Sequence, residues 1–249
     1  MSDELGLFYE LFSGLRRLAP GLESSTLEAL SHVRCWEGMR VADLGCGVGT
    51  STLVLADKID GQIIAIDNHQ PYLDALEQEA VLRGTSAKIT AICSDMAEPP
   101  INEESLDLVW AEGSIYLLGF QRGLELWRRY LKPGGWIALP EIPWLRDDPS
   151  PDARAFWAEA YPGMTDIAGN LEMLRNAGFT PHHQFALPAE AWEAEYYQPL
   201  EQRLETFAGK YAGRADAEQI IEGVRREISV KRGASDDYSY VFYIAQRAD

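Results

Sequence analysis

Val41-Ala42-Asp43-Leu44-Gly45-Cys46-Gly47-Val48-Gly49-Thr50-Ser51-Thr52 runs an apolar strand directly into three alternating glycines and then into a helix. Glycine at alternate positions lets the backbone turn sharply, accept positive φ and admit a ligand closer than any Cβ would permit. The helix opening after Gly49 aims unpaired N–H groups and a partial positive charge at the loop, which suits a carboxylate or a phosphate. The segment reads as a nucleotide-handling loop after the first strand of a doubly wound sheet. Asp67 closes the next apolar run, Gln62-Ile63-Ile64-Ala65-Ile66-Asp67, about where a ribose diol lies in such a sheet. An acid at that place serves NAD and other adenosine cofactors alike.

Spacing separates the two ligand classes. In a G-x-G-x-x-G dinucleotide fingerprint counted from Gly45, the third glycine falls at position 50, where this chain has Thr50; its third glycine is Gly49. The G-x-G-x-G form with Asp43 ahead of it resembles motif I of the class I methyltransferases that use S-adenosylmethionine (SAM). Ile92-Cys93-Ser94-Asp95-Met96, ending a third strand, resembles the family position that holds the adenine ring. Leu106-Asp107-Leu108-Val109-Trp110 reads as a fourth strand, followed by a helix near 120–131. Leu131-Lys132-Pro133-Gly134-Gly135 looks like the family's turn before a fifth strand, Trp136 to Pro140. The pieces cover residues 40–140 in the family's order. Trp110-Ala111-Glu112-Gly113-Ser114-Ile115-Tyr116, Gly119-Phe120 and Leu187-Pro188-Ala189-Glu190-Ala191-Trp192 narrow the resemblance to a largely uncharacterised bacterial and archaeal group. That group is related to the ubiquinone and menaquinone C-methyltransferases. The histidine-rich stretch of the quinone enzymes is replaced here by Glu112-Gly113-Ser114-Ile115-Tyr116, so the likeness implies no particular substrate.

The resemblance implies a Rossmann-like α/β fold: a mainly parallel seven-stranded sheet, order 3-2-1-4-5-7-6 with strand 7 antiparallel, helices on both faces and a helical cap. It lays out one methyltransferase domain over 1–249. N-terminal helices occupy 1–35, the SAM-binding core 36–140, helical insertions 141–178 and 188–235, and the last strands 179–187 and 238–246. The residues themselves support this plan. Strands near 40–45, 62–67, 87–93, 106–110 and 135–140 alternate with helical segments, a rhythm that demands a parallel sheet. Pro143, Pro149 and Pro151 break the pattern after the fifth strand. Phe8, Leu11, Phe12 and Leu15 mark one helical face, and Ser25 with Glu28 reads as a capping box for a helix to about Val33. The break at 20–26 between these helices is expected near the mouth of the cofactor pocket, and a plain helix–helix turn explains it equally well. Ile220, Ile221, Val224 and Ile228 form an apolar helix face in the second insertion.

A chain of 249 residues with 22 basic and 39 acidic residues carries 22 − 39 = −17. Such a surface repels phosphate backbones and anionic lipid headgroups, so neither nucleic acid nor membrane is expected as a partner. The pairs Arg16-Arg17, Arg128-Arg129 and Arg225-Arg226 read as solvated helix faces. Cys35, Cys46 and Cys93 read as buried free thiols of a reducing compartment. With an acidic start and no long apolar run, a cytoplasmic location follows. The sequence leaves the oligomeric state open, a homodimer included.

The resemblance assigns Gly45, Gly47 and Gly49 to backbone approach around the methionine part of SAM, and Asp43 to its amino group directly or through water. Asp67 takes the ribose hydroxyls, Asn68 flanks the adenine, Asp95 accepts from its exocyclic amine and Met96 packs on its face. Loop capping at strand ends is the plain alternative for Asp43 and Asp95. On the acceptor side, Glu112 is the first candidate for base or substrate anchor, with Tyr116 and Glu141 next; a solvated loop carboxylate or a packing tyrosine is the alternative. Trp144, Trp192, Tyr196 and Tyr197 either pack the cap or wall an acceptor site. His182 and His183 point to opposite faces of a strand and lack further ligands, so no metal is expected. Methyl transfer needs no metal or covalent nucleophile, only alignment, exclusion of water and removal of a proton where required. The expected activity is SAM-dependent methylation of a small-molecule acceptor, leaving S-adenosylhomocysteine. The competing readings are an NAD(P)-dependent oxidoreductase and a non-catalytic SAM-binding partner or sensor.

Overall fold

The computed structural model describes residues 3–248. In chain order these form α1 (Asp3–Phe12), α2 (Glu23–Ser31), β1 (Met39–Leu44), α3 (Thr50–Lys58), β2 (Gly61–Asp67), α4 (Gln70–Arg83), β3 (Ile89–Cys93), β4 (Leu106–Trp110) and α5 (Phe120–Arg128). There follow β5 (Leu131–Glu141), α6 (Pro151–Ala160), α7 (Ile167–Asn176), β6 (Phe179–Ala186), α8 (Ala189–Trp192), a π-helical turn at Glu193–Tyr197, α9 (Gln198–Lys210), α10 (Ala215–Gly233) and β7 (Val241–Arg247). The sheet order is β3-β2-β1-β4-β5-β7-β6, with β7 antiparallel to both its neighbours, as expected.

Central strands of such a sheet are covered on both sides and so need apolar residues of either parity. Val41, Leu108, Trp110 and Ala138 face one layer, which includes Leu11 and Phe12 of α1 and the cap residues Trp192, Tyr196 and Phe207. Ala42, Val109, Ile137 and Leu139 face the other, against Leu124 and Trp127 of α5 and Leu174 of α7. The N-terminal and cap helices therefore share a layer. Arg203 of α9 donates to the Glu10 carbonyl at 3.0 Å and the Leu11 carbonyl at 3.3 Å. It thus supplies the cation that the last turn of α1 lacks.

Three local expectations are corrected. The capping box is not formed: α2 begins at Glu23, Leu22 precedes it without a side-chain cap, and Ser25 lies inside the helix, buried. The Lys132-Pro133-Gly134-Gly135 stretch is a bulge within β5 rather than a turn before it, because the pairing moves from Leu106↔Leu131 to Leu108↔Trp136. Lys132 bonds Asp107 at 2.6 Å and Gln246 donates to the Gly134 carbonyl at 2.6 Å, so side chains hold the bulge. The cysteines are free, but Cys35 and Cys93 are exposed and Cys46 only partly buried. Cys93 closes an edge strand, where one side lacks cover.

The strand order reverses between β1 and β4, opening a crevice beyond their C-terminal ends. Among the described residues no helix is long and apolar enough to cross a membrane.

Gly49 caps α3 in the left-handed region at φ 78°, and a Cβ there would stand 2.2 Å from Leu76 Cδ1 of α4. Gly84, also left-handed at φ 71°, has nothing within 4 Å of its Cβ position. Gly49→Ala is therefore expected to destabilise the fold by about 2–4 kcal/mol, strain plus overpacking. Gly84→Ala should cost about 1–2 kcal/mol from strain alone. Urea unfolding of the two variants checks the difference; equal losses would show that Leu76 yields without resistance.

Candidate active site

A cleft of about 640 Å³ opens over the C-terminal ends of β1, β2 and β4, walled by α1, the 13–22 loop, the π-helical turn and α10. Its volume lies within the range of cofactor and substrate pockets.

The glycine loop is fixed by its neighbour strand: Gly45 and Cys46 both donate N–H to the Ile66 carbonyl, at 2.8 and 2.9 Å. One residue on, the Gly47 N–H donates to Asp67 Oδ2 at 2.9 Å, and the His69 N–H donates to Asp67 Oδ1 at 2.9 Å. Each carboxylate oxygen thus holds one backbone donor and keeps lone-pair capacity for a ligand in the cleft that Asp67 lines. Gly45 lets the β4 loop approach, since a Cβ would lie 2.4 Å from that of Ser114, whose hydroxyl bonds the Leu44 carbonyl.

Asn68, Asp95 and Met96 also line the cleft. Asn68 Oδ1 accepts from the Tyr9 hydroxyl at 3.0 Å, and the Tyr9 ring stacks on His69 at 3.8 Å, so α1 reaches over this end. Asp95 Oδ1 takes the Ala97 N–H at 2.8 Å, which is the loop-capping role, and leaves Oδ2 to the cleft. The Met96 carbonyl accepts from Trp127 Nε1 of α5 at 2.8 Å.

Asp43 is not brought to the cleft. It is 1 % exposed beneath the loop, and Thr52 of α3 donates to it at 2.6 Å. Burial pushes its carboxyl up to about 7 against the Thr52 bond, with Glu112 and Asp67 adding to the rise. Gly49 also lies off the cleft, spent on the α3–α4 contact.

Glu112 lines the cleft with three side chains on its carboxylate. Oε1 accepts from Thr26 Oγ1 at 2.8 Å and Trp110 Nε1 at 2.9 Å, and Oε2 pairs with Arg17 at 3.5 Å. Arg17 is only 7 % exposed, which overturns its reading as a solvated helix face: it lies in the loop between α1 and α2 and turns inward to a carboxylate 95 positions away. Arg16 beside it lines the cleft, and its carbonyl accepts from the Thr50 hydroxyl. Arg128 likewise departs from that reading, donating to the Gly178 and Ala248 carbonyls.

Tyr116, on a short 3₁₀ turn, lines the cleft and is 41 % exposed. Glu141 does not reach the cleft; it is 2 % exposed, with Oε1 on the Ile142 N–H and Oε2 buried without a hydrogen-bond donor. Of the four cap aromatics only Tyr196 lines the cleft; Trp192 bonds Ser239, and Trp144 packs on Tyr238. The Tyr197 hydroxyl donates to Glu227 Oε1 at 3.0 Å. Sequence reasoning missed Glu227, Tyr9 and Arg16 as cleft residues. The one available signal was for Glu227, an acid between Val224 and Ile228 on the apolar face of α10. His182 packs on Trp136 and His183 on His32 at the end of α2, both in the layer of the N-terminal helices: β6 shifts register between Pro181 and His183, which corrects the expectation that the two rings point to opposite faces.

Residues 41–135 match a family model described as a methyltransferase domain. Phosphoethanolamine N-methyltransferase 1 of Arabidopsis thaliana is 24% identical over 251 residues, covering 97% of this chain and 49% of that protein. A sterol 24-C-methyltransferase of Aspergillus fumigatus is 26% identical over 174 residues, covering 66% and 46%. The chain spans about half the length of both relatives. A solved SAM-dependent methyltransferase from Geobacter sulfurreducens, in complex with S-adenosyl-L-homocysteine, aligns with a TM-score of 0.82 at 18% identity over 96% of this chain and 97% of its own. That likeness is one of fold. Residues 41–135 thus match a methyltransferase domain, and nearly the whole chain shares the fold of that solved protein.

Burial raises Glu141 from 4.5 to about 8, against the bond from the Ile142 N–H. A carboxyl raised on folding stabilises below its unfolded pKa, and that contribution is lost as pH climbs through the folded value. Glu141→Gln is therefore expected to flatten the fall in stability between pH 5 and 8 by a few kcal/mol. Urea midpoints at both pH values check this, and an unchanged slope would place the ionisation elsewhere.

Proposed function

We propose that the chain is a SAM-dependent methyltransferase acting on a small-molecule acceptor. The observation that carries the proposal is Asp67, held by the Gly47 and His69 N–H groups so that its remaining lone pairs serve the cleft. An adenosine ribose presents two hydroxyl donors to such an acceptor. Asn68 would flank the base under the Tyr9 cover, Asp95 Oδ2 would accept from its amine, and Met96 would pack on its face. At the loop end, the α3 N-terminus and Arg16 would take an amino-acid carboxylate. Asp43 acts from behind, tying β1 to α3 through Thr52.

When bound, SAM supplies a methyl group on a positively charged sulfur that is already an activated leaving group. The chain's part is placement. Phe8, Tyr9 and Phe12 of α1 cover the cleft and exclude water, and Tyr116 borders the acceptor side. Glu112 fixes the 13–22 loop and α2 against β4 through Arg17 and Thr26, so it serves as an anchor of that wall. Alignment at roughly 3–3.5 Å is the main catalytic contribution required of the protein.

The related proteins are named for N- and C-methylation and do not choose the acceptor atom. Kinship with the quinone C-methyltransferases rests on the Trp110–Tyr116 and Leu187–Trp192 resemblance alone. The net charge of −17 supports an acceptor other than nucleic acid and a site of action away from anionic lipid. Against an oxidoreductase stands Thr50, whose side chain, bonded to the Arg16 carbonyl, fills the place of the dinucleotide loop's third glycine.

Titration calorimetry with SAM and S-adenosylhomocysteine tests the proposal. Both should bind saturably, and Asp67→Ala should weaken them by roughly ten- to more than a hundredfold, the worth of about 1.5–3 kcal/mol for a charged acceptor. Absence of binding, or indifference to the substitution, would refute the reading.

A further inference from the structure

The cleft has two electrostatically separate ends. Asp67 acts on Tyr9, His69 and Tyr72. Glu227 acts on a different set, Tyr116, Tyr196 and Tyr240. Glu227, Tyr116 and Tyr196 all line the cleft.

Among the described residues Glu227 has no counter-ion. Its one hydrogen bond among the described residues comes from the Tyr197 hydroxyl, and burial holds its carboxyl above the ordinary range with no cation acting against it. The four basic residues of its own helix turn elsewhere: Arg225 is exposed, Arg226 pairs with Glu159, Arg232 with Glu193 and Glu201, and Lys231 donates to the Ser235 and Tyr238 carbonyls. Arg17, the buried cation of the cleft, is already paired with Glu112, and Arg16, whose carbonyl accepts from Thr50, is not among the groups that act on Glu227. A desolvated carboxylate without a partner is unfavourable, and a ligand cation would relieve it. Tyrosine rings beside it favour a cation further, as does the acidic field of the whole chain.

We infer that this end of the cleft receives the amino group of a small amine bearing no phosphate or carboxylate, and that the amine nitrogen is the methyl acceptor. The inference rests on the cofactor reading above. The arriving ammonium gives one proton to Glu227, freeing the nitrogen lone pair. That pair forms the new N–C bond while the methyl C–S bond breaks, its electrons staying on sulfur, and the positive charge passes to the methylated nitrogen. An anionic acceptor would face Glu227 with no cation to offset it.

Calorimetry on the protein saturated with S-adenosylhomocysteine tests this with three probes of one shape: phenethylamine, phenethyl alcohol and phenylacetate. The amine should bind at least tenfold more tightly than the alcohol, and phenylacetate should bind most weakly. Glu227→Gln should remove most of the amine's advantage while the alcohol and S-adenosylhomocysteine bind as before. Equal binding of amine and alcohol, tighter binding of phenylacetate, or an amine affinity indifferent to Glu227→Gln would overturn the inference. The comparison of probes on the unaltered protein stands even where the variant folds poorly. Should S-adenosylhomocysteine itself fail to bind, the cofactor reading falls and this inference with it; should it bind without amine preference, only the inference falls.

Discussion

The Asp67 carboxylate takes one backbone N–H on each oxygen, from Gly47 of the glycine loop and from His69 at the start of α4. Two loops from adjacent strand ends are thereby locked to one anion, and the geometry of the cleft depends on that lock. Because β1 and β2 pair in register up to Leu44↔Ile66, the loop that follows has little freedom, and the Ile66 carbonyl absorbs two further N–H groups. The site is preorganised by main-chain bonds, which need no side-chain rearrangement when a ligand arrives.

A second anion organises the opposite wall. Glu112 gathers Thr26 from α2, Arg17 from the preceding loop and Trp110 from β4, joining the N-terminal segment to the sheet at the switch point. α1 is in turn held from the cap through Arg203 and through the Tyr211 hydroxyl on Glu10. The cover over the cofactor end and the helices bordering the acceptor end therefore form one mechanical unit. A shift of α10 or the π-helical turn would reach the cofactor cover through the contacts of α1 with α9 and α10.

The sheet was legible because its central strands are apolar on both faces and carry residues with a purpose at or next to their ends: Asp43, Asp67 and Trp110 in three of them. The cofactor end was legible for the same reason, since strand ends and glycine spacing are local features. What local pattern does not carry is the direction in which a side chain turns once distant segments meet. Arg17 sits beside Arg16 in sequence, yet one is buried on Glu112 and the other is exposed. Glu141 ends β5 as an acid at a strand C-terminus should for a site residue, but the neighbouring antiparallel β7 and the Tyr161 segment enclose it. Glu227 stands among the apolar residues of α10, but only the packed helices turn that face to the cleft and bring Tyr197 of the π-helical turn onto its carboxylate.

The central claim is that the cleft beside Asp67 is an adenosyl cofactor site, and a crystal structure grown with S-adenosylhomocysteine tests it most directly. The account predicts both ribose hydroxyls on the Asp67 carboxylate, the base between Asn68 and Met96, and the amino-acid tail over Gly45 and Gly47. Density for the ligand elsewhere, or a cleft that closes on its own side chains and leaves Asp67 without a ligand contact, would contradict it.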